Sequence, residues 1–241
     1  MAHGTMDYFG TNAQSFMHRV ADLAELAARL GSSDVFDRRG NVLLMDSFDS
    51  GMAGWTEAHT SGTGWVAPII QPTHLGRLAI GCEYSSVVGA TGEIARYVAM
   101  PQISNYGFEA AFQPAANNRY FEQLFDVYDG TRVYYYGFRW YQQTGELKVL
   151  NSLYAWETIT TISPLVFSGY PWFVVKLVVD MDTHHYVRAM VNATTYDISA
   201  YAPYSATADM SAIIYLSLRT ANDVADTTMA AFDDIIVTMN E

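Results

Sequence analysis

Residues 120–151 read YFEQLFDVYDGTRVYYYGFRWYQQTGELKVLN, and this stretch decides the fold. Three runs, Tyr120 to Tyr128, Arg132 to Gln142 and Glu146 to Asn151, are separated by Asp129-Gly130 and by Thr144-Gly145, the residue types that tight turns require. Aromatic and β-branched side chains pack well on a pleated surface, so the pattern predicts consecutive β-hairpins. Side chains on a strand alternate between its faces. The run from Arg132 therefore sends Arg132, Tyr134, Tyr136, Phe138 and Trp140 one way and Val133, Tyr135, Gly137, Arg139 and Tyr141 the other. The first set is the expected core face.

Further strand candidates flank these hairpins at the short spacing of an all-β sandwich. They are Val42 to Met45, Gly64 to Ile70, Arg77 to Cys82, Glu93 to Val98, Tyr106 to Gln113, Trp172 to Asp180, His185 to Asn192, Thr195 to Ile198, Ser211 to Thr220 and Met229 to Thr238. A chain of 241 residues, half of them hydrophobic and 14% aromatic, is long enough for one large β-domain. The expected organisation is a flexible tail over residues 1–12, an arm over 13–31 and an antiparallel β-sandwich over 34–241.

The arm rests on a different periodicity. Phe16, Val20, Leu23, Ala27 and Leu30 recur at spacings of four and three, with Arg19, Asp22, Glu25 and Arg29 off that line, which predicts an amphipathic helix. Thr11 or Asn12 caps its start and Gly31 its end. The spacing is that of a coiled-coil seam, and two heptads need help from other contacts. Two roles fit: a helix folded over an edge of the sandwich, or a projecting oligomerisation arm.

A net charge of −12 with only two lysines, Lys148 and Lys176, argues against nucleic acid and against an anionic membrane surface as partners. No stretch approaches the roughly 20 apolar residues of a membrane-spanning helix, and the first 30 residues lack the order of a signal peptide, so a soluble chain is expected. The single cysteine, Cys82, reads as a buried structural thiol.

Two terminal segments carry a resemblance. Leu43-Leu44-Met45-Asp46-Ser47-Phe48-Asp49-Ser50-Gly51-Met52-Ala53-Gly54-Trp55 resembles the opening strand and loop of jelly-roll carbohydrate-binding modules and of laminin-G or concanavalin-like domains. Phe232-Asp233-Asp234-Ile235-Ile236-Val237-Thr238 resembles their closing strand, and Trp172 to Asp180 with Tyr186 to Asn192 their central hairpin. The resemblance implies an antiparallel jelly-roll sandwich from about residue 42 onward, a fold that serves many functions. In many such modules the acid after Phe in the first strand and an Asp in the last help to bind structural calcium. The matching positions are Asp49 and Asp234, with Asp46 and Asp233 beside them, and calcium would need further oxygens to reach six to eight.

The second face of the 132–142 run, with Arg139 between Tyr135 and Tyr141, offers flat rings and a hydrogen-bonding fork suited to stacking on sugars or to protein contact. Trp172 and Lys176 share a face of their own strand and are expected to extend that surface, although an ordinary half-exposed sheet face fits the same residues. Concanavalin-like glycosidases place paired acids as Glu-x-Asp-x-x-Glu or a close variant, which this chain lacks. Glu122 and Asp126 share a strand face at the wrong spacing and show no partner in the sequence. No Gly-x-Ser-x-Gly elbow, phosphate loop or dinucleotide fingerprint occurs, and His184-His185 point to opposite faces.

The sequence therefore predicts a protein that is not an enzyme. The first expectation is a structural protein of a virus or phage particle, a capsid decoration at the virion surface that is homo-oligomeric through its arm. The arm-plus-sandwich layout resembles structural proteins of tailed phages. The alternative is a carbohydrate-binding, lectin-like domain, soluble or extracellular, with glycans as partners.

Overall fold

A computed structural model describes residues 39–60, 64–74, 76–83, 87–116, 118–163, 171–224 and 229–241. The expected tail and helical arm, with Phe16, Val20, Leu23, Ala27 and Leu30, lie outside the described residues.

All regular structure among the described residues is β. In chain order the strands are β1 (Asn41–Asp46), β2 (Thr56–Thr60), β3 (Trp65–Ile69), β4 (Ala79–Glu83), β5 (Thr91–Ala99), β6 (Asn105–Gln113), β7 (Asn118–Tyr128) and β8 (Arg132–Tyr141). They continue with β9 (Glu146–Leu150), β10 (Trp156–Thr161), β11 (Phe173–Asp180), β12 (His185–Val191), β13 (Thr194–Asp197), β14 (Tyr204–Thr207), β15 (Ile213–Asn222) and β16 (Met229–Met239). One sheet runs β13-β12-β11-β6-β16-β4-β3, with β1 also on β16. The other runs β10-β9-β8-β7-β15-β5-β2, with β14 beside β8. We call them the first and second sheets.

Neighbouring strands pair antiparallel, and the inner faces of the two sheets form one core. Tyr134, Tyr136, Phe138 and Trp140 of β8 face inward as their alternation predicts, whereas Arg132, at the strand's end, is exposed. From the first sheet, β6 and β11 answer with Phe108, Phe112, Val175, Leu177 and Val179. Rings meet across the interface: Phe112 lies 4.7 Å from Phe121, Trp140 lies 5.2 Å from Phe173, and Tyr136 meets Tyr186 edge-on at 5.1 Å. Except for the partly buried Phe173, each of these rings is buried and stabilises by roughly 2–3 kcal/mol.

Tyr186 also ties the sheets together through hydrogen bonds. Its hydroxyl reaches from β12 to accept from Gly137 N at 2.8 Å and to donate to Leu150 O at 2.7 Å. Burial pushes this phenol's pKa up. Cys82 is fully buried, and burial, with Glu57 adding to it, raises its thiol pKa.

The sequence reading missed three strands, β2, β10 and β14. β2 and β10 are the two edges of the second sheet and β14 flanks the end of β8, so TEAHT, WETITT and YSAT bury little and carry no core alternation. No helix among the described residues is long and apolar enough to cross a membrane.

Candidate functional site

The register of the second sheet sorts its outer face into rows that cross the strands. One row is charged. Glu93 of β5 stands opposite Arg219 of β15, which stands opposite Glu122 of β7. Glu122 in turn faces Arg139 of β8, and Arg139 faces Lys148 of β9. Opposite charges directly across antiparallel strands attract, and here the alternation extends over four strands before Lys148.

Glu122 is the pivot of this row. It is 1% exposed, accepts from Arg139 Nε at 2.7 Å and Arg139 Nη2, and accepts from Arg219 Nη1 at 3.1 Å. Arg219 also donates to Glu93 Oε2 from Nη2 at 2.8 Å and from Nε at 3.0 Å. Arg139 is held in plane as well, with Trp156 3.9 Å and Tyr120 4.2 Å from its guanidinium carbon, and its Nη1 donates to Tyr141 Oη at 3.1 Å. Lys148 Nζ sits 4.9 Å over Tyr141 and 3.3 Å from Glu146. The sequence showed no partner for Glu122. The structure supplies two arginines, one of them 97 residues away, which only the pairing of β7 with β15 brings close.

Four residues along β7 lies a second row, aromatic except at its centre. Tyr97 faces Tyr215, Tyr215 faces Asp126, Asp126 faces Tyr135, and Tyr135 faces Tyr204. Tyr154, in the β9–β10 connection, packs edge-on against Tyr135 at 5.9 Å and Tyr204 at 4.9 Å. Tyr97 and Tyr154 are more than half exposed.

Between these rows runs a line of short or apolar side chains, Ala95, Ser217, Leu124 and Gly137. Glu93 leans into it, accepting from Ser217 Oγ and, at 3.2 Å, from Tyr215 Oη. The Trp156 ring leans over Gly137, where an added Cβ would meet it at 2.8 Å. Burial and the nearby Glu93 push the Tyr215 phenol up to about 12.

Asp126, at the centre of the tyrosine row, is 8% exposed. Burial, reinforced by Glu93 and Glu122 and opposed by Arg219, pushes its carboxyl up to about 8, so the neutral acid predominates at pH 7. Its Oδ1 is buried without a hydrogen-bond partner among the described residues.

Of the residues expected to form a binding surface, Tyr135, Arg139 and Tyr141 lie on this face, Arg139 and Tyr141 in contact and Tyr135 in the next aromatic row. Trp172 and Lys176 do not join them, because β11 belongs to the first sheet. Lys176 is 2% exposed on that sheet, with Nζ 2.7 Å from Glu241 Oε1 and 3.8 Å from Glu109 Oε2. Trp172 meets His74 at a tilt, with ring centroids 5.4 Å apart.

The expected calcium residues meet a different element. Asp49 Oδ1 accepts from Arg77 N at 2.6 Å, and Asp234 Oδ2 lies 2.8 Å from His74 Nδ1. Asp233 Oδ2 accepts from His74 N at 2.8 Å, while Asp46 Oδ2 accepts from Trp55 Nε1 at 2.9 Å and Arg96 Nη1 at 3.1 Å. Asp233 and Asp234 thus hold His74, and Asp49 holds Arg77. Asp234 sits at a positive φ of 44° in the bulge of β16, between the segments that pair in register with β6. Among the described residues no group of three or more His, Cys, Asp or Glu side chains is placed to hold a metal ion.

No protein-family model matches the chain, and no curated protein matches its sequence. Solved structures do share the fold. Cellulose induced protein, Cip1, aligns with a TM-score of 0.51 at 14% identity over 81% of this chain and 96% of its own. A sialidase aligns with a TM-score of 0.50 at 8% identity over 84% of this chain, which spans only 19% of the sialidase's length. A xylan-binding domain of carbohydrate-binding module family 22 aligns with a TM-score of 0.41 at 15% identity, over 85% of this chain and 97% of its own. Carbohydrate-binding modules recur among these structures. What the chain shares with Cip1 and the sialidase is the fold, a sandwich of two antiparallel β-sheets.

Proposed function

We propose that the chain is a non-catalytic carbohydrate-binding domain whose ligand lies on the outer face of the second sheet. The observation that carries this reading is the pairing of a tyrosine row, Tyr97-Tyr215-Asp126-Tyr135-Tyr204, with an ion-paired row that fixes Arg139 between Tyr120 and Trp156. Tyrosine and tryptophan offer flat apolar faces to the C–H faces of sugars and polar tips to their hydroxyls. A guanidinium already held in place loses little entropy on binding.

A non-catalytic role agrees with the state of the acids. Glycoside hydrolysis by paired carboxyl groups needs one of them free to attack or to activate water, whereas Glu93 and Glu122 are both tied to arginines. A glycan array followed by affinity electrophoresis tests the reading. Tyr135→Ala and Tyr141→Ala should each weaken retention by a bound polysaccharide at least about tenfold. Binding unchanged in both variants, or release of reducing sugar by the wild type, rejects it.

The expectation of a particle protein rests chiefly on the seam of residues 13–31, which lie outside the described residues, so glycan binding is the reading that the described face supports. Calcium stays a separate proposal. Asp49 and Asp234 would hold it by exchanging their hydrogen bonds with Arg77 and His74 for metal ligation. Specific binding must raise the melting temperature as calcium is added. A flat titration rejects it.

A further inference from the structure

We propose, building on the carbohydrate-binding reading above, that Asp126 is the hydrogen-bonding centre of the site and that the site selects uncharged glycans over acidic ones. Three observations lead there. Buried polar groups in proteins are nearly always hydrogen-bonded, and one left alone calls for an explanation. Glu122 and Ser217, also buried on this face, have partners. Asp126 Oδ1 has none among the described residues.

Its position is the second observation. Asp126 faces Tyr215 on one side and Tyr135 on the other, so a sugar ring resting on either tyrosine brings its hydroxyls to this carboxyl. In its neutral form a carboxyl donates one hydrogen bond and accepts others, which matches the donor-and-acceptor character of a sugar hydroxyl.

The charge count supplies the third. The face carries Arg139, Arg219 and Lys148 against Glu93, Glu122 and Glu146, and each cation already has a carboxylate within 3.3 Å. No surplus positive charge remains for a uronate or a sulfate, and the chain as a whole carries −12. An acidic chain would therefore be desolvated without compensation.

Affinity electrophoresis at pH 7 with three uncharged polysaccharides (a mixed-linkage β-glucan, a galactomannan and a xylan) and with polygalacturonate tests the proposal. The wild type should be retarded by at least one uncharged polymer and not by polygalacturonate. Asp126→Asn keeps a neutral donor and acceptor and should bind within about threefold of the wild type, whereas Asp126→Leu and Asp126→Ala should each lose at least about tenfold. Both are expected to melt cooperatively, because each removes an unpaired buried carboxyl. Should one fail to fold, the other carries the test. Retention of Asp126→Leu equal to the wild type, with Tyr135→Ala still impaired, overturns the role of Asp126 and leaves the glycan site standing. Stronger retardation by polygalacturonate overturns the selectivity, and no retardation of the wild type by any polymer overturns the site and this inference together.

Discussion

Replacing Asp126 by Asn should flatten the pH dependence of stability. The sign follows from where the proton sits. An unfolded Asp126 ionises near its ordinary 3.8, whereas the folded carboxyl holds its proton up to about 8. Between those values the native state binds one proton more than the unfolded state, so this group's contribution is fully present below about pH 4 and is lost as pH rises through 8. Each unit is worth about 1.4 kcal/mol, so the shift of roughly four units sets a ceiling of about 6 kcal/mol, of which about 4 falls between pH 5 and 8. Asp233, pushed up to about 7 by burial and the adjacent Asp234, adds a second proton with the same sign over a narrower window. Urea unfolding at pH 5, 6, 7 and 8 should show the wild type losing stability across the series. Asp126→Asn, which mimics the neutral acid, should exceed it by about 1–2 kcal/mol at pH 5 and by about 5 kcal/mol at pH 8, with only the Asp233 slope left. Parallel curves for the two proteins from pH 5 to 8 would mean that Asp126 is ionised throughout and would refute the reasoning.

Glu122→Ala leaves Arg139 and Arg219 without their shared carboxylate and should cost about 3–5 kcal/mol in urea unfolding; a loss below 1 kcal/mol would show that solvent replaces the bridge freely. Gly137→Ala places a methyl 2.8 Å from Trp156 and 3.1 Å from Leu150 Cβ, so it should cost about 1–3 kcal/mol and change the tryptophan fluorescence as Trp156 lifts from the sheet. Phe112→Ala, which empties the contact with Phe121 and Phe232, should cost about 3–5 kcal/mol in the same assay. Burial pushes the Asp129 carboxyl up, but its Oδ1 accepts from Thr131 N at 2.8 Å, Arg132 N at 2.7 Å and Thr131 Oγ1 at 3.0 Å, and these bonds together hold its pKa below the usual range. Asp129→Ala should therefore cost about 1 kcal/mol at pH 7 and progressively less as pH falls below 4, read from melts at both ends.

The fold was legible wherever a strand buries one whole face. In β8 the alternation of Tyr134, Tyr136, Phe138 and Trp140 against Tyr135, Gly137 and Arg139 gives the face assignment directly, and the turns at Asp129-Gly130 and Thr144-Gly145 give its ends. Edge strands escape such reading for a physical reason. β2 is exposed at every residue and β10 at half of them with none buried, so neither must alternate, and what recruits them is the free hydrogen-bonding edge of a neighbour rather than a core of their own.

The site was legible only in part, because it is written across strands rather than along them. Within β8, the spacing of Tyr135, Arg139 and Tyr141 marks a face with chemistry on it. Assigning Glu122 to Arg139 needs the β7–β8 register, and assigning it to Arg219 needs the knowledge that β15 enters the sheet between β5 and β7. The same missing information misplaced Trp172 and Lys176, whose strand shows a similar pattern of rings and cations but lies in the opposite sheet. One signal was available: Glu93 and Arg219 each interrupt a strand otherwise rich in apolar residues. A buried charge is costly unless paired, so two such interruptions of opposite sign imply adjacent strands. That step pairs β5 with β15 and sets Glu93 against Arg219. Glu122 has the same need for a partner, but so do Glu109, Lys176 and Arg188, and only the entry of β15 between β5 and β7 decides which of these charges meet.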